Sequence, residues 1–397
     1  MDINFILPHV QISGGVRVVF EYANRLSERG HTVTIFYPTL SYNYAKNKYI
    51  SRSGILRLWG GLSRVLDDSP VDWFDLNVDV QQVPTLSTGL IDYVERSISD
   101  ADVTIATSWE TSYTVAALSD SKGQKVYFVQ HYEIWDTWNS HEAWEQVRSI
   151  ADDPVKYPIE MQEVEPPNKK ARYEKELVDD SYELPLSKIT ITSWLEELLK
   201  SKFEQEVAAV VHNSVNHNIF YPDGSDSAER LSILLPMRDK PWKGKREVEN
   251  LIEDIGTSYD VRINTYGSEP ESENYPCRVS HHPDVSDSGL RELYSKSDIF
   301  VLPSWVEGFG LPILEAMACE CAVVSTEVGI AKEIPEDSDA IQVVPPRNYA
   351  TLVDSVRQLL ENKQRRNVLK ENGRKAAIDS NWDNATERFE QALQETV

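Results

Sequence analysis

Residues 3–38 read INFILPHVQISGGVRVVFEYANRLSERGHTVTIFYP, and their pattern decides the fold class. INFILP is a short apolar run of strand type, and HVQISGGV is a loop with a glycine pair. Val16, Val19, Ala23 and Leu26 then recur at helical spacing until Gly30, after which TVTIFY is a second strand-like run. Strand, helix and strand within about 37 residues make a βαβ unit. The alternation continues with DVTIATS, QKVYFVQ and KITITS, which predicts a parallel sheet covered by helices on both faces.

A turn-rich stretch, VVHNSVNHNIFYPDGSDSAER (residues 210–230), reads as a linker. Beyond it the alternation restarts with LSILLPM, VRINTYG, SDIFVLPS, CAVVST and AIQVVPP. The expected fold is therefore α/β, with two Rossmann-like, doubly wound parallel-sheet domains at residues 1–212 and 213–379. A break near SNW predicts that residues 380–397, with the helical pattern WDNATERFEQAL, return to pack on the first domain. Ligands of open α/β sheets sit outside the carboxyl ends of the strands. Two such domains facing each other would make a cleft, so the segments after strands are where chemistry is expected: 9–15, 107–113, 131–138, 192–194, 237–244, 267–269 and 304–311.

The totals agree with two globular domains. The chain has 397 residues, 41% hydrophobic, with ten Trp and eighteen Tyr to fill two cores. No run approaches the roughly 18 to 20 apolar residues of a bilayer span, and INFILP follows the first residues without a basic flank or cleavage site, so the expected address is the cytoplasm. Cys277, Cys319 and Cys321 lack C-x-x-C spacing and read as buried thiols. A formal charge of −24 excludes nucleic acid as an expected partner, because phosphate backbones are bound by basic surfaces. Solubility and a salt-rich cytoplasm both produce such a charge.

Three segments carry candidate chemistry. Gly14 and Gly15 lie between a strand and a helix, where backbone N–H groups can approach an anion. The spacing is not G-x-G-x-x-G, and Tyr37 and Pro38 stand where a dinucleotide site has an acid, so a nicotinamide fingerprint is disfavoured. In LLPMRDKPWKGKREVENL, Arg238 and Lys243 follow a predicted strand and suit a diphosphate; solvated loop charges are the plainer reading. In SWVEGFGLPILEAMACE (304–320), Glu307 and Glu315 bracket seven uncharged residues. A helix through GLPILEAMA is apolar almost all round and should be buried, so each carboxylate needs a basic residue or a ligand. Pro312 suits the first turn of that helix, which is expected to include Glu315.

These residues carry a resemblance. Glu307 to Glu315 is similar to the E-x7-E motif of retaining GT-B glycosyltransferases, specifically family 4 (glycosyl transferases group 1). Gly14-Gly15-Val16 resembles that family's glycine loop, NSVNHNIFYP its linker, LLPMRDKPWKGK its G-R-x-x-x-x-K-G element, and LRELYSKSDIFVLPS with TEVGIAKEI completes the ordered set. Ser214 and Asn216 stand where the linker pattern has Gly and Asp, and no glycine precedes Arg238.

The resemblance implies a GT-B fold and a retaining, metal-independent transfer of sugar from a nucleotide-diphosphate sugar to a hydroxyl acceptor, glycan or lipid-linked, in cell-surface glycan, polysaccharide or glycoprotein assembly. Arg238 and Lys243 would hold the donor diphosphate, assisted by amides at Gly14 and Gly15. Glu315 would accept from the ribose, and Glu307 with the amides of Gly308, Phe309, Gly310 and Leu311 would grip the sugar. His131, after a first-domain strand, would contact the donor or orient the acceptor, or serve as a structural histidine. Trp109, Glu133 and Trp135 are the acceptor candidates, with Trp138 beside them, and aromatic packing under the loop is the alternative. Two other readings share the motifs: a GT-B isomerase or phosphorylase, and a non-catalytic sugar-nucleotide or glycan binder.

No metal cofactor is expected. Asp337-Ser338-Asp339 is formally D-x-D but sits in a polar turn, and His281, His282 and Asp284 lack the spacing of a known site. Residues 41–66 hold five Lys or Arg and no acid, and Ile55, Trp59, Leu62 and Leu66 share a helical face. Peripheral membrane contact and an ordinary surface helix are the two readings of that stretch.

Overall fold

The computed structural model describes residues 1–40, 71–134, 169–224, 230–269 and 275–396. The basic stretch 41–66, Trp135 and Trp138 lie outside the described residues. The described residues up to His212, together with those from Asp383 onward, form one compact unit; those of Asn213–Trp382 form the other.

The first unit is a seven-stranded parallel sheet: β1 (Asp2–Ile6), β2 (Thr32–Leu40), β3 (Asp79–Thr85), β4 (Val103–Ala106), β5 (Gln124–Val129), β6 (Ser187–Thr190) and β7 (Val207–Val210), in the order β3-β2-β1-β4-β5-β6-β7. Its helices are α1 (Gly14–Glu28), α2 (Ile91–Ser97), α3 (Trp109–Ala117), α4 (Lys169–Glu183) and α5 (Ser193–Phe203). Ser13 caps α1 by accepting from the Val16 N–H at 3.2 Å, and the apolar stripe expected from the sequence is buried through Val16, Val19, Ala23 and Leu26.

The second unit is a six-stranded parallel sheet: β8 (Ser232–Met237), β9 (Arg262–Gly267), β10 (Val279–His282), β11 (Ile299–Leu302), β12 (Ala322–Thr326) and β13 (Gln342–Val344), in the order β10-β9-β8-β11-β12-β13. Its helices are α6 (Lys245–Ser258), α7 (Asp287–Ser295), α8 (Leu311–Ala318), α9 (Tyr349–Glu361) and α10 (Lys363–Asp379). Val248, Leu251, Ile252 and Ile255 on α6 bury one stripe against the sheet, with Ile233, Leu235 and Ile263 in the same cluster. The linker packs into this unit: the Ser214 and Ser380 hydroxyls lie 3.1 Å apart, and the His217 Nε2 lies 3.1 Å from the Ser380 carbonyl.

The chain then forms α11 (Trp382–Thr396), whose residues from Asp383 belong to the first unit. Phe389 stacks on Tyr22 with centroids 4.4 Å apart and meets Phe128 edge-on at 5.0 Å. Glu390 takes Arg29 at 2.6 Å and His31 at 2.8 Å. These contacts make α11 part of the first unit's core.

Strands β3, β7 and β10 are absent from the sequence reading, and all three lie at sheet edges. An edge strand is paired on one side and half-solvated, so DVQQVPT and VSHH do not show the apolar run by which buried parallel strands are found.

Candidate functional site

In a doubly wound sheet the strand order reverses at one point, and the crevice opens there beyond the carboxyl ends. In the second unit that point lies between β8 and β11, the strands that precede Arg238 and Glu307. The Lys243 Nζ donates to Glu307 Oε2 at 2.6 Å, and Ser304 Oγ donates to Glu307 Oε1 at 2.7 Å. The paired side chains are 23% and 15% exposed, so the ion pair is sheltered yet reachable from solvent. The Thr326 hydroxyl donates to the Ser304 carbonyl, which fixes the loop that carries Glu307 to the end of β12.

Arg238 lies over the Tyr266 ring at 5.0 Å and donates from NH1 to its neighbour's carbonyl, Met237 O, at 3.3 Å. This placement depends on Gly267, the partner of Met237 in the sheet. Its φ is +103, and a Cβ there would stand 2.3 Å from the Arg238 NH1. Burial pushes the Tyr266 hydroxyl up to about 12, with Arg238 pulling against it and the charges of Glu315 and Glu307 adding to it. Arg238 thus lies on the buried phenol that leads through Tyr294 to Glu315, and Lys243 is bonded to Glu307.

Glu315 is 9% exposed and accepts from the Tyr294 hydroxyl at 3.2 Å. It is not in the first turn of its helix. The helix begins at Leu311, after a left-handed Gly310, so Glu315 is the fifth residue, beyond the turn where the dipole acts most, and a hydroxyl donor stabilises it instead. The amide run before it is buried from Gly308 to Gly310 and half-buried at Leu311. Beneath that run, the Ile330 N–H donates to Phe309 O at 2.6 Å. Gly329, at φ +50, lies so close that a Cβ would meet Phe309 O at 2.1 Å.

In the first unit the reversal lies between β1 and β4, and both are followed by candidate residues. Gly14 and Gly15 form the start of α1 with ordinary φ angles. A Cβ on Gly14 would meet nothing within 4 Å, and one on Gly15 only the Gln130 side chain at 3.6 Å. Neither backbone conformation nor packing within the protein calls for glycine there. Trp109 begins α3, and its N–H donates to Glu133 Oε2 at 2.7 Å; the Tyr127 hydroxyl reaches the same oxygen at 3.1 Å. Glu133 is thus an acceptor for a helix N-terminus, a structural task beside the acceptor role expected of it. The His131 ring meets Trp194 edge-on at 6.4 Å, and its carbonyl accepts from the Tyr182 hydroxyl at 3.1 Å.

The structure joins Lys243 to Glu307 and Arg238, through two tyrosines, to Glu315. Sequence reasoning missed Ser304, Tyr266 and Tyr294. A signal existed for Ser304, in the loop next to Glu307, and for Tyr266, at the C-terminal end of a predicted strand. None existed for Tyr294, whose contact with Glu315 needs helices α7 and α8 packed together. Among the described residues no group of three or more His, Cys, Asp or Glu could hold a metal ion. Asp339 pairs with Arg365 at 2.5 Å, and His281 Nδ1 lies 2.9 Å from the Thr265 hydroxyl. Among the described residues, no helix is long and apolar enough to cross a membrane.

Residues 268–376 match the family model for glycosyl transferases group 1. An uncharacterised glycosyltransferase of Methanocaldococcus jannaschii is 28% identical over 198 residues, 49% of this chain and 54% of that protein. The MMP alpha-(1->4)-mannosyltransferase of Mycolicibacterium hassiacum is 30% identical over 183 residues, 43% of this chain and 44% of that protein. The O-antigen chain mannosyltransferase B of Escherichia coli is 36% identical over 102 residues, 26% of each chain. The matched stretch thus spans between a quarter and about half the length of these relatives. Solved structures are similar over the whole length at lower identity. Sucrose-phosphate synthase from Thermosynechococcus elongatus is 15% identical, with a TM-score of 0.67 over 99% of this chain and 98% of its own. Anabaena HepE in complex with UDP-glucose is 15% identical, with a TM-score of 0.68 over 100% of both. The two parallel-sheet α/β units therefore have the fold of GT-B glycosyltransferase structures, and residues 268–376, which include both Glu307 and Glu315, carry the match to glycosyl transferases group 1.

Proposed function

We propose that the chain is a nucleotide-sugar-dependent glycosyltransferase, its donor held by the second unit and its acceptor by the first. The observation that carries this reading is the Lys243–Glu307 ion pair at the β8/β11 reversal, with Arg238 shelved on Tyr266 beside it. The leaving group is an anionic diphosphate, so the reaction needs charge stabilised where it grows. Arg238 and Lys243, with the N–H groups around Gly14, Gly15 and Gly308 to Leu311, supply that stabilisation from the protein itself, and the proposed transfer requires no metal. Once the diphosphate has drawn Lys243 toward it, Glu307 is an acceptor for sugar hydroxyls, and Glu315 is the acceptor for the ribose.

Glu307 is engaged by a lysine and a serine, which suits a positioning group better than a covalent nucleophile. The proposed stereochemistry is retaining with same-face attack. The bond from the anomeric carbon to the diphosphate oxygen breaks, the acceptor oxygen bonds on that face, and a donor phosphate oxygen takes its proton. His131, Trp109 and Glu133 are the proposed neighbours of the acceptor.

A thermal-shift panel of UDP-, GDP- and ADP-sugars, followed by product analysis with glycan and lipid-linked hydroxyl acceptors, identifies the substrates. Arg238→Ala and Lys243→Ala are each expected to lower turnover at least about tenfold, or roughly 1.4 kcal/mol, in folded protein. Unchanged rates in both variants overturn the diphosphate assignment. Turnover that vanishes with a chelator and returns with a divalent ion would remove the metal-independent mechanism. Flotation with anionic vesicles tests residues 41–66 as a membrane-contacting stretch, and no binding at low salt removes that role.

A further inference from the structure

Between Arg238 and Glu315 runs a chain of buried groups. Tyr266 is 3% exposed and Tyr294 0%, and their hydroxyls lie 3.1 Å apart. The Tyr294 hydroxyl donates to Glu315 Oε2 at 3.2 Å. An ionised carboxylate only accepts, so Tyr294 spends its single proton on Glu315, and Tyr266 must donate to the Tyr294 oxygen. The direction of the chain is thereby fixed, from the phenol under Arg238 toward the carboxylate. Hydrogen bonds arranged head to tail polarise one another in a low-dielectric interior.

The surroundings leave Tyr294 little freedom. Phe220 of the linker meets its ring at 6.1 Å, Phe300 of β11 at 5.3 Å, and Tyr266 at 6.3 Å, all edge-on or nearly so. The Cys321 thiol donates to its carbonyl at 3.0 Å. A rigid donor on one oxygen stops the carboxylate from turning about its last bond. Ser304 does the equivalent for Glu307. Packing alone would be met by phenylalanine at position 294, which would leave both Glu315 and Tyr266 without this partner.

We propose that Tyr294, backed by Tyr266, is a positioning residue that orients Glu315 to accept from a ribose 2′-hydroxyl, so that the site selects ribonucleotide over 2′-deoxyribonucleotide sugar donors. This rests on the proposed donor site, with Glu315 at the ribose. A freely rotating carboxylate would still bind a nucleotide through its diphosphate, but would distinguish the two sugars poorly. Discrimination, and not affinity as such, is therefore the readout that a merely structural tyrosine would not move.

The test measures binding of UDP, GDP and ADP, each beside its 2′-deoxy counterpart, by calorimetry on the full chain. Wild-type protein is expected to favour the ribonucleotide of its preferred base at least about tenfold, the worth of one hydrogen bond to a charged group. Tyr294→Phe is expected to bring that ratio to about threefold or less, with affinity for the 2′-deoxy compound within about twofold of wild type. Tyr266→Phe, which keeps the donor to Glu315 and removes only its support, is expected to give an intermediate ratio and serves where Tyr294→Phe does not fold. Glu315→Gln separates the two layers of the argument. If Glu315→Gln abolishes discrimination while both tyrosine variants retain the wild-type ratio, the positioning proposal is overturned and the donor site stands. If wild-type protein binds none of the nucleotides, or Glu315→Gln keeps the full ratio, the reading of the donor site fails and this proposal with it.

Discussion

Pairing Lys243→Met with Glu307→Gln in a double-mutant cycle tests whether the carboxyl end of the second sheet, at the β8/β11 reversal, is built as described, without any substrate. At 2.6 Å the charges attract by about 6 kcal/mol at an effective dielectric constant near 20, before solvation is counted. Desolvating two ions that are 23% and 15% exposed opposes most of this gain. Exposed pairs are worth about 0.2 to 1 kcal/mol, and breaking a fully buried pair costs about 3 to 5 kcal/mol, so a sheltered pair of this kind should couple by about 1 to 2 kcal/mol. Lys243→Met leaves Glu307 charged with Ser304 as its remaining described donor, and should be the more damaging single change. Glu307→Gln keeps one acceptor oxygen for Lys243 and turns an amide N–H toward Ser304, whose hydroxyl can accept it. The assay is equilibrium urea unfolding of the whole chain for wild type, both singles and the double variant, at low and at 0.5 M salt. Half-sheltered charges are screened only partly, so coupling should shrink and remain measurable at the higher salt. Additivity within about 0.3 to 0.5 kcal/mol would refute the pairing.

Three further outcomes follow from the same geometry. Gly14→Ala should change the melting temperature by no more than a few degrees, because a Cβ there meets nothing and φ is ordinary, yet lower donor turnover at least about tenfold; a large stability loss would return the glycine to a purely structural role. Gly329→Ala should cost about 2 to 4 kcal/mol, since its Cβ would press on the Phe309 carbonyl at 2.1 Å and the backbone is left-handed, and thermal melting that matches wild type would show that the loop is not buttressed there. Burial depresses the Lys202 ammonium to about 8 despite Asp179 at 3.0 Å. Its folded value lies below the unfolded 10.5, so the unfolded chain binds more protons between about 8 and 10.5, and the destabilisation fades as pH rises through that window. The stability difference, wild type minus Lys202→Met, should therefore grow from pH 8 to 10 in thermal melts; a difference that is flat or shrinking contradicts the assignment.

The fold class was legible because buried parallel strands are apolar throughout, as in SDIFVLPS and CAVVST, and because each is followed by a helix signal. The three strands that escaped are edge strands: in DVQQVPT and VSHH the half-solvated surface breaks the apolar pattern, and VAAV is apolar but only four residues long and runs straight into the turn-rich linker. At the site, Arg238, Lys243, Glu307 and Glu315 stood out because charge next to a buried run is unusual in a sequence. Tyr266 and Tyr294 did not stand out, because a tyrosine in a strand or helix looks like packing until its hydroxyl is seen to meet another. The partner of Glu307 was within reach, since Lys243 had been singled out, but its pairing with the glutamate and not only with a ligand required the β8/β11 neighbourhood. Glu315 was expected within the first helical turn because Pro312 marks the start well, but the left-handed Gly310 caps a helix that begins one residue earlier, at Leu311, which puts Glu315 one position past that turn.

Helix α11 has a consequence for how the polypeptide is made. Its residues from Asp383 onward complete the aromatic cluster of Phe5, Tyr22 and Phe128 in the first unit, while some 170 residues of the second unit intervene. At a translation rate of about 5 to 20 residues per second, the nascent first unit waits roughly 10 to 30 seconds for its final helix. During that interval Tyr22 and Phe128 meet each other but lack the Phe389 ring, and a chaperone has something to hold. A ribosome stalled anywhere in the second unit would release a first unit with an open apolar seam, and a protease nick at either crossing would still leave the halves tethered by the other.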